Sequence, residues 1–204
     1  DRPKPWLAPD RGAVEDAHQI GGQPPNPRDI WTRMKDKQMG NPLLGVWNTA
    51  FGLPPFGQIK DSDFAPAFEV ALAQARARVA EIASDPAAPT FANVIEALEL
   101  SEEALSQVSG VFYNLTGADS TPAREALQSE MAPKLSAYAS EITNNRALFG
   151  RIEALWQARD TLGLTPEQAR VLELYRRMFV RSGALLEGVG AARLTDVKSR
   201  LAVL

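Results

Sequence analysis

A single histidine, His18, limits the catalytic chemistry that this chain of 204 residues could carry out by itself. A hydrolytic zinc site normally requires at least two imidazole or thiolate ligands, and the sequence contains no cysteine. A Ser-His-Asp triad would have to use His18 as its base, and this residue lies in a segment rich in proline and glycine. The sequence therefore predicts no catalytic residue and no metal site within the chain.

A short basic and aromatic segment, YRRMFVR from Tyr175 to Arg181, contains the best candidates for binding a ligand. Arg177 and Arg181 are four residues apart, so on a helix they share a side, where guanidinium groups could bind a peptide carboxylate. Tyr175, Arg177 and Arg181 are therefore candidates for lining a substrate channel. The competing interpretation, which the residue types favour, places Tyr175 in the core and both arginines on the surface.

Four glutamates form an acidic cluster within one predicted helix: Glu96, Glu99, Glu102 and Glu103. Paired carboxylates can perform acid–base chemistry when burial drives their pKa values apart. A run of charges on a helix is more commonly a solvated face, and that is the expectation for this cluster.

The elements that must position these residues are helices. From Phe64 onward, apolar residues recur at spacings of three and four, which is typical of one face of a helix. No segment long enough to form a strand shows the alternation of apolar and polar residues that a strand requires. Asp61, Ser62 or Asp63 is the predicted N-cap of the first helix. Helices are predicted over residues 64–82, 91–115, 122–142, 148–162, 166–179 and 194–204.

Start signals support several of these boundaries. Thr90 is the predicted N-cap of the second helix, and Thr121 is followed by a proline at the first helical position of the third. The strongest signal runs from Thr165 to Gln168, where a threonine cap, a proline, an acid and a capping-box glutamine follow one another.

The segment WNTAFGLPPFGQIK precedes the first helix and is unusually apolar. Each of its two adjacent prolines fixes its own backbone and restricts the residue before it, so the segment is predicted to be stiff and extended. Docking such a segment costs little conformational entropy. We therefore expect it to lie across the helices as an apolar strap, with Trp47, Phe51, Leu53 and Phe56 packed against them.

Composition divides the chain into two regions. Residues 1–40 contain prolines at positions 3, 5, 9, 24, 25 and 27 and a Gly-Gly pair, so they are predicted to form a disordered or non-native tail. Residues 41–204 are predicted to form one helical domain. Its last helix still presents Leu204 on the apolar face with no terminating glycine or asparagine, so we expect the domain to be truncated there.

Charge and hydropathy exclude several classes of partner. The net charge of −3 disfavours a nucleic-acid binder, which would normally have a basic face. No apolar run reaches the length of a membrane span, and the first residues lack the apolar segment of a signal peptide. We expect a soluble, cytoplasmic protein with neither a nucleic-acid nor a membrane partner.

Five blocks of sequence carry a resemblance to a known family. They are NPLLGVWNTAFGLPPFGQIKDSDFAPAFEVAL, PTFANVIEALE, VFYNLTGADSTPA, SEMAPKLSAY and TPEQARVLELYRRMFVRSGALL. In this order and spacing they resemble the N-terminal helical region of bacterial peptidyl-dipeptidase and oligopeptidase A zinc metallopeptidases, and peptidyl-dipeptidase more closely. The resemblance covers about residues 41–204.

The resemblance implies an all-α fold, the N-terminal part of a two-lobed enzyme whose helical halves enclose a channel for short peptides. The family binds zinc through an HExxH helix and a downstream glutamate, and no residue of this chain matches that site. The chain would then be part of the channel wall, inactive alone. Its partner would be the missing catalytic portion, or a second copy bound through an exposed apolar face. The alternative is a stand-alone helical interaction module derived from the same family.

Overall fold

All regular structure in residues 40–201, the part described by a computed structural model, is helical. Side chains are described for these residues except 191, 192, 195, 198, 199 and 201. The predicted tail before residue 40 and the predicted helix end at Leu204 lie outside the described residues. The all-α prediction is confirmed. The helices are α1 (Asp61–Ser84), α2 (Ala97–Ser101), α3 (Glu103–Ala118), α4 (Pro122–Thr143), α5 (Arg146–Ala158), α6 (Pro166–Arg181) and α7 (Gly188–Leu201).

The predicted start signals form the expected caps. At the start of α6, Thr165 Oγ1 accepts a hydrogen bond from the Gln168 backbone N–H at 3.2 Å, and the Thr165 N–H donates to the Gln168 side chain at 3.1 Å. At the start of α4, Thr121 Oγ1 accepts from the Arg124 backbone N–H at 3.2 Å. Both helices have proline at the first position, where the missing N–H is no loss.

Several boundaries differ from the prediction; α5 ends at Ala158, before residue 162, and α7 begins at Gly188, before residue 194. The N-cap of α1 is Lys60 and not one of the three predicted residues, although the Asp63 carboxylate accepts a hydrogen bond from the Lys60 N–H at 2.8 Å. The helix predicted over 91–115 is also interrupted. It starts with a π-helical turn, and Glu102, with φ −106° and ψ 12°, separates α2 from α3. Because these irregularities shift the helix by less than one turn, the apolar spacing of three and four continues across them and conceals them.

Two apolar clusters form the core, and α1 contributes to both. The first cluster joins the N-terminal half of α1 to α3 and α4, and the second joins its C-terminal end to α2, α5 and α6. In the first, Phe112 meets Phe64 and Phe68 edge to face, with ring centroids 5.1 and 5.3 Å apart. Ile142 of α4 packs against both clusters.

The predicted apolar strap is largely wrong. Phe51 is 98% exposed, Leu53 55% and Phe56 48%, and only Trp47 packs against the first cluster. Trp47 Nε1 donates a hydrogen bond to the Pro42 carbonyl at 2.9 Å. The two prolines restrict the backbone of this segment, but they do not determine which side of it faces the helices.

The burial that the strap was expected to provide comes from the residues on either side of it. Leu43 is fully buried, and its carbonyl accepts a hydrogen bond from Gln107 Nε2 at 2.8 Å. Ile59 packs against the same cluster just before α1. Between these anchors a 3-10 turn holds Phe51 at φ 61°, and its side chain is left in solvent. We refer to residues 46–56 as the exposed segment.

None of the helices within residues 40–201 combines the length and apolar character needed to cross a bilayer.

Candidate functional site

A cleft of about 510 Å³ lies among α2, α3, α4 and α6. Its polar wall includes Glu99 of α2 and Glu102 of the α2–α3 junction, and Tyr175 of α6 lies with them. Leu98, Leu174 and Met178 supply apolar surface. A concave site with apolar walls and a few converging polar groups is the usual form of a small-molecule or peptide binding site.

Tyr175 is the predicted site residue that reaches this cleft. Burial raises the pKa of its phenol, and the neighbouring carboxylates of Glu99 and Glu102 raise it further. The phenol therefore stays neutral at physiological pH and can both donate and accept hydrogen bonds.

Arg177 and Arg181 do not line the cleft. Two residues advance a helix by about 200°, so Arg177 lies on the side of α6 away from Tyr175. Its Nη1 is 3.9 Å from Glu173 Oε1, and Arg181 is exposed at the end of the helix. The structure thus separates the two arginines from the tyrosine, and a channel role for the three residues stays a prediction.

The acidic cluster is divided between two environments. Glu96 and Glu103 are exposed and lie outside the cleft, as expected of a solvated face. Glu99, which is also exposed, and the half-buried Glu102 line the cleft. Sequence reasoning could not separate these pairs, because the cleft arises from a contact with α6, which is distant in the sequence.

A buried phenol stands beside the cleft. Tyr138 of α4 is 4% exposed, and its hydroxyl lies next to the carboxylate of Glu102. Burial, and then the negative charge of Glu102, raise the pKa of this phenol. The guanidinium of Arg76 lies over its ring, 5.7 Å from the centroid, and forms two hydrogen bonds of 2.7 and 3.1 Å with Glu141. The periodicity of α4 predicted that Tyr138 faces the core, and it does.

A second cleft, of about 580 Å³, lies where α5 turns into α6. Trp156 is its main feature. The guanidinium carbons of Arg159 and Arg176 lie 4.4 and 5.0 Å from the centroid of the Trp156 ring. Arg176 also binds Glu153 at 2.8 Å, and Arg159 donates to the Trp156 carbonyl at 2.7 Å. These contacts use both guanidinium groups to hold the helix turn together.

No group of three or more histidine, cysteine, aspartate or glutamate side chains capable of holding a metal occurs among the described residues. His18 lies outside them. The described residues therefore do not fit the zinc site that the family resemblance implies.

Comparison with known proteins bears directly on that resemblance. No family model matches the chain. The chain is 37% identical over 164 residues to the dipeptidyl carboxypeptidase of Salmonella typhimurium and 36% identical over 164 residues to that of Escherichia coli. It is 29% identical over 167 residues to oligopeptidase A of Haemophilus influenzae.

These matches cover 80%, 80% and 81% of this chain but only 24% of each relative. The chain therefore spans about a quarter of the length of the curated relatives that it matches. The sequence blocks predicted this likeness, including the higher identity to dipeptidyl carboxypeptidase. The resemblance is confirmed: over about four fifths of its length the chain is similar to dipeptidyl carboxypeptidase and oligopeptidase A.

Proposed function

We propose that residues 41–204 form part of the substrate channel wall of a peptidyl-dipeptidase-like zinc metallopeptidase that cleaves short peptides. The observation that carries this proposal is the 37% identity over 164 residues to a dipeptidyl carboxypeptidase, confined to 24% of that protein. In such an enzyme the zinc ion activates a water molecule. The present chain would enclose and select the peptide, while other residues would carry out the hydrolysis.

The chain is proposed to be inactive alone. It has one histidine, so it contains no HExxH sequence, and the described residues do not fit a zinc site. The zinc-bearing portion must then come from elsewhere in the functional enzyme.

The exposed segment is the proposed contact with that catalytic portion. Val46 is 88% exposed and Phe51 98%, with Leu53 and Phe56 close to them in sequence. Several exposed large apolar side chains within one short segment are typical of an interaction site. Self-association through the same segment is the competing outcome.

A stand-alone interaction module is the second candidate function. The observation that favours it is that both core clusters are built from this chain's own helices, with the larger side chains fully buried. Helices that bury their apolar faces against one another can fold without a partner.

A complementation experiment separates the two functions. The chain is mixed with Escherichia coli dipeptidyl carboxypeptidase from which the matched quarter has been deleted, and cleavage of short peptides is followed. Each protein should be inactive alone, and the mixture should cleave peptides in a chelator-sensitive way. A variant carrying Phe51→Ser and Phe56→Ser should restore less activity, whereas Leu100→Ser, which changes an exposed leucine elsewhere, should not.

Two results would contradict the channel-wall proposal. Chelator-sensitive cleavage by the chain alone would show that it is a complete peptidase. A monomeric chain that neither binds the deleted enzyme nor restores its activity would favour the interaction module.

A further inference from the structure

The exposed segment lies within a stretch of the chain that carries no charge. No aspartate, glutamate, lysine, arginine or histidine occurs in residues 41–59, although 23% of the whole chain is charged. Four large apolar side chains of this stretch are nevertheless exposed: Val46, Phe51, Leu53 and Phe56. The centre of a protein–protein interface is depleted of charged residues and enriched in aromatic ones. The composition of the exposed segment is therefore that of the centre of an interface.

Hydrogen bonds within the segment hold its backbone in one conformation. The Thr49 hydroxyl donates to the Leu53 carbonyl, and the Gly52 N–H donates to the Thr49 carbonyl at 3.1 Å. Further along, the Phe56 N–H donates to the Pro54 carbonyl at 2.8 Å. The two adjacent prolines restrict the backbone in addition. The turn is thus already formed in the chain without a partner.

Contacts with the helices fix the chain just before the segment. Gln107 of α3 donates from Nε2 to the Leu43 carbonyl at 2.8 Å and to the Gly45 carbonyl at 3.1 Å. Asn41 Nδ2 donates to the Asp63 carbonyl in the first turn of α1 at 2.8 Å. A surface that is ordered in advance loses little conformational entropy when it binds.

Phe51 is the most exposed large apolar side chain of the segment. It is 98% exposed, and its φ of 61° lies in the left-handed region. Strain of this kind clusters at binding sites. Aromatic side chains also dominate the energetics of interfaces, because each buries a large area. Phe51 is therefore the candidate anchor of a contact.

We propose that the exposed segment is a preformed apolar plug, anchored by Phe51, that inserts into an uncharged apolar pocket of the catalytic portion of the peptidase. This inference rests on the proposed channel-wall function and adds the chemistry of the contact. The chain matches only 24% of the length of each dipeptidyl carboxypeptidase, so most of such an enzyme remains to supply the pocket.

Two other occupants fit these observations less well. Neither cleft described above offers a second copy an uncharged receptor, because one contains Glu99 and Glu102 and the other contains Asp160 and Glu173. Basic residues beside an apolar surface strengthen its binding to anionic membranes, and residues 41–59 contain none.

The test uses a chimera in which residues 41–204 replace the matched quarter of the Escherichia coli dipeptidyl carboxypeptidase. The chain has no cysteine, so the Ala50→Cys variant has a reporter thiol next to Phe51, and Leu100→Cys provides a control thiol on α2. Because buried thiols are inert, iodoacetamide should label the Ala50→Cys variant at least about tenfold more slowly in the chimera than in the isolated chain. The Leu100→Cys variant should react at the same rate in both, as mass spectrometry of the labelled peptides would show.

A charge at position 51 tests the chemistry of the pocket. Phe51→Asp and Phe51→Lys should both lower the thermal unfolding midpoint of the chimera, because an uncharged apolar pocket cannot solvate a charge of either sign. Neither change should lower the midpoint of the isolated chain, in which Phe51 is 98% exposed. Leu100→Asp and Leu100→Lys are the matched controls and should leave the midpoint of the chimera unchanged.

Different results overturn the inference and the proposed function. In a chimera with chelator-sensitive activity, equal labelling of Ala50→Cys in the chimera and the isolated chain would overturn the plug and leave the channel-wall function intact. An unchanged midpoint with either charge at position 51 would do the same. A chimera without that activity would overturn the channel-wall function and the inference with it. Binding of the isolated chain to phosphatidylcholine vesicles, or its dimerisation, would overturn the plug if Phe51→Asp abolished it, because the segment would then serve a membrane or a second copy.

Discussion

Replacing Arg151 should destabilise the chain far more than replacing an exposed arginine. Arg151 of α5 is 9% exposed, and its Nη1 donates hydrogen bonds to the Asp85 carbonyl and, at 2.9 Å, to the Ala87 carbonyl. Its Nη2 donates to Asp85 Oδ2 at 3.2 Å. One side chain therefore ties the loop that follows α1 to the middle of α5.

The size of the destabilisation depends on how many of the hydrogen bonds of Arg151 water could replace. Removing one partner of a fully buried ion pair costs about 3–5 kcal/mol. Here the side chain of Arg151 is 10% exposed and that of Asp85 31%, so the carboxylate would be partly rehydrated. A charge-assisted hydrogen bond is worth about 1.5–3 kcal/mol when nothing replaces it, but Ala87 is exposed and Asp85 half-buried, so water can replace most of what the two carbonyls lose. We expect Arg151→Met to lower the free energy of unfolding by about 2–3 kcal/mol, below the fully buried limit.

Urea unfolding followed by circular dichroism measures this difference. The matched control is Arg78→Met, which removes an arginine whose side chain is 69% exposed and pairs with Glu81 on the same helix. That change should cost less than about 0.5 kcal/mol, because exposed ion pairs contribute little. If Arg151→Met were as stable as Arg78→Met, the guanidinium network would not be what holds the loop against α5.

Phe112→Ala should lower the free energy of unfolding by about 3–5 kcal/mol, because it opens a cavity among aromatic rings packed edge to face, whereas Phe51→Ala at a 98% exposed position should change it by less than about 0.5 kcal/mol. Urea unfolding of the two variants provides the comparison, and equal effects would contradict the assigned core. Although burial favours the protonated acid, hydrogen bonds from Arg176 and Gln157 lower the pKa of Glu153 below its usual 4.5. A lowered pKa stabilises the folded state above the ordinary value and ceases to do so as the pH falls through the folded-state value. Glu153→Gln should therefore cost stability at pH 7 and progressively less below about pH 4.5, as thermal unfolding across pH would show; a cost that did not change with pH would contradict this assignment.

Helix starts were predictable because their causes lie within four residues. The cap of α6 depends on Thr165, Pro166 and Gln168, which are adjacent in the sequence and meet in the structure. The break at Glu102 was not predictable in the same way. Its neighbours keep their apolar spacing on both sides, so no local signal distinguishes one long helix from two.

Which residues line the cleft could not be predicted from the sequence, because the cleft forms between helices that are distant in the chain. Tyr175 was singled out for its neighbouring arginines, yet in the structure it lies with Glu99 and Glu102. Which face of α6 meets α2 is decided by packing around Leu172 and Phe179, both fully buried. Periodicity identified these core residues, but it could not identify the helix that they contact.

Most of the large apolar side chains of the exposed segment lie in solvent, although the stiffness of the segment predicted that they pack against the helices. Proline stiffness fixes the course of the backbone between Leu43 and Ile59, but stiffness can present side chains to solvent as well as bury them. Phe51 adopts φ 61°, a conformation that costs an ordinary residue about 1–2 kcal/mol, and it is 98% exposed. Neither feature stabilises this chain, because the core clusters are packed without Phe51. Strained backbone is often found at binding sites, so this position fits the proposed contact of the exposed segment with a partner.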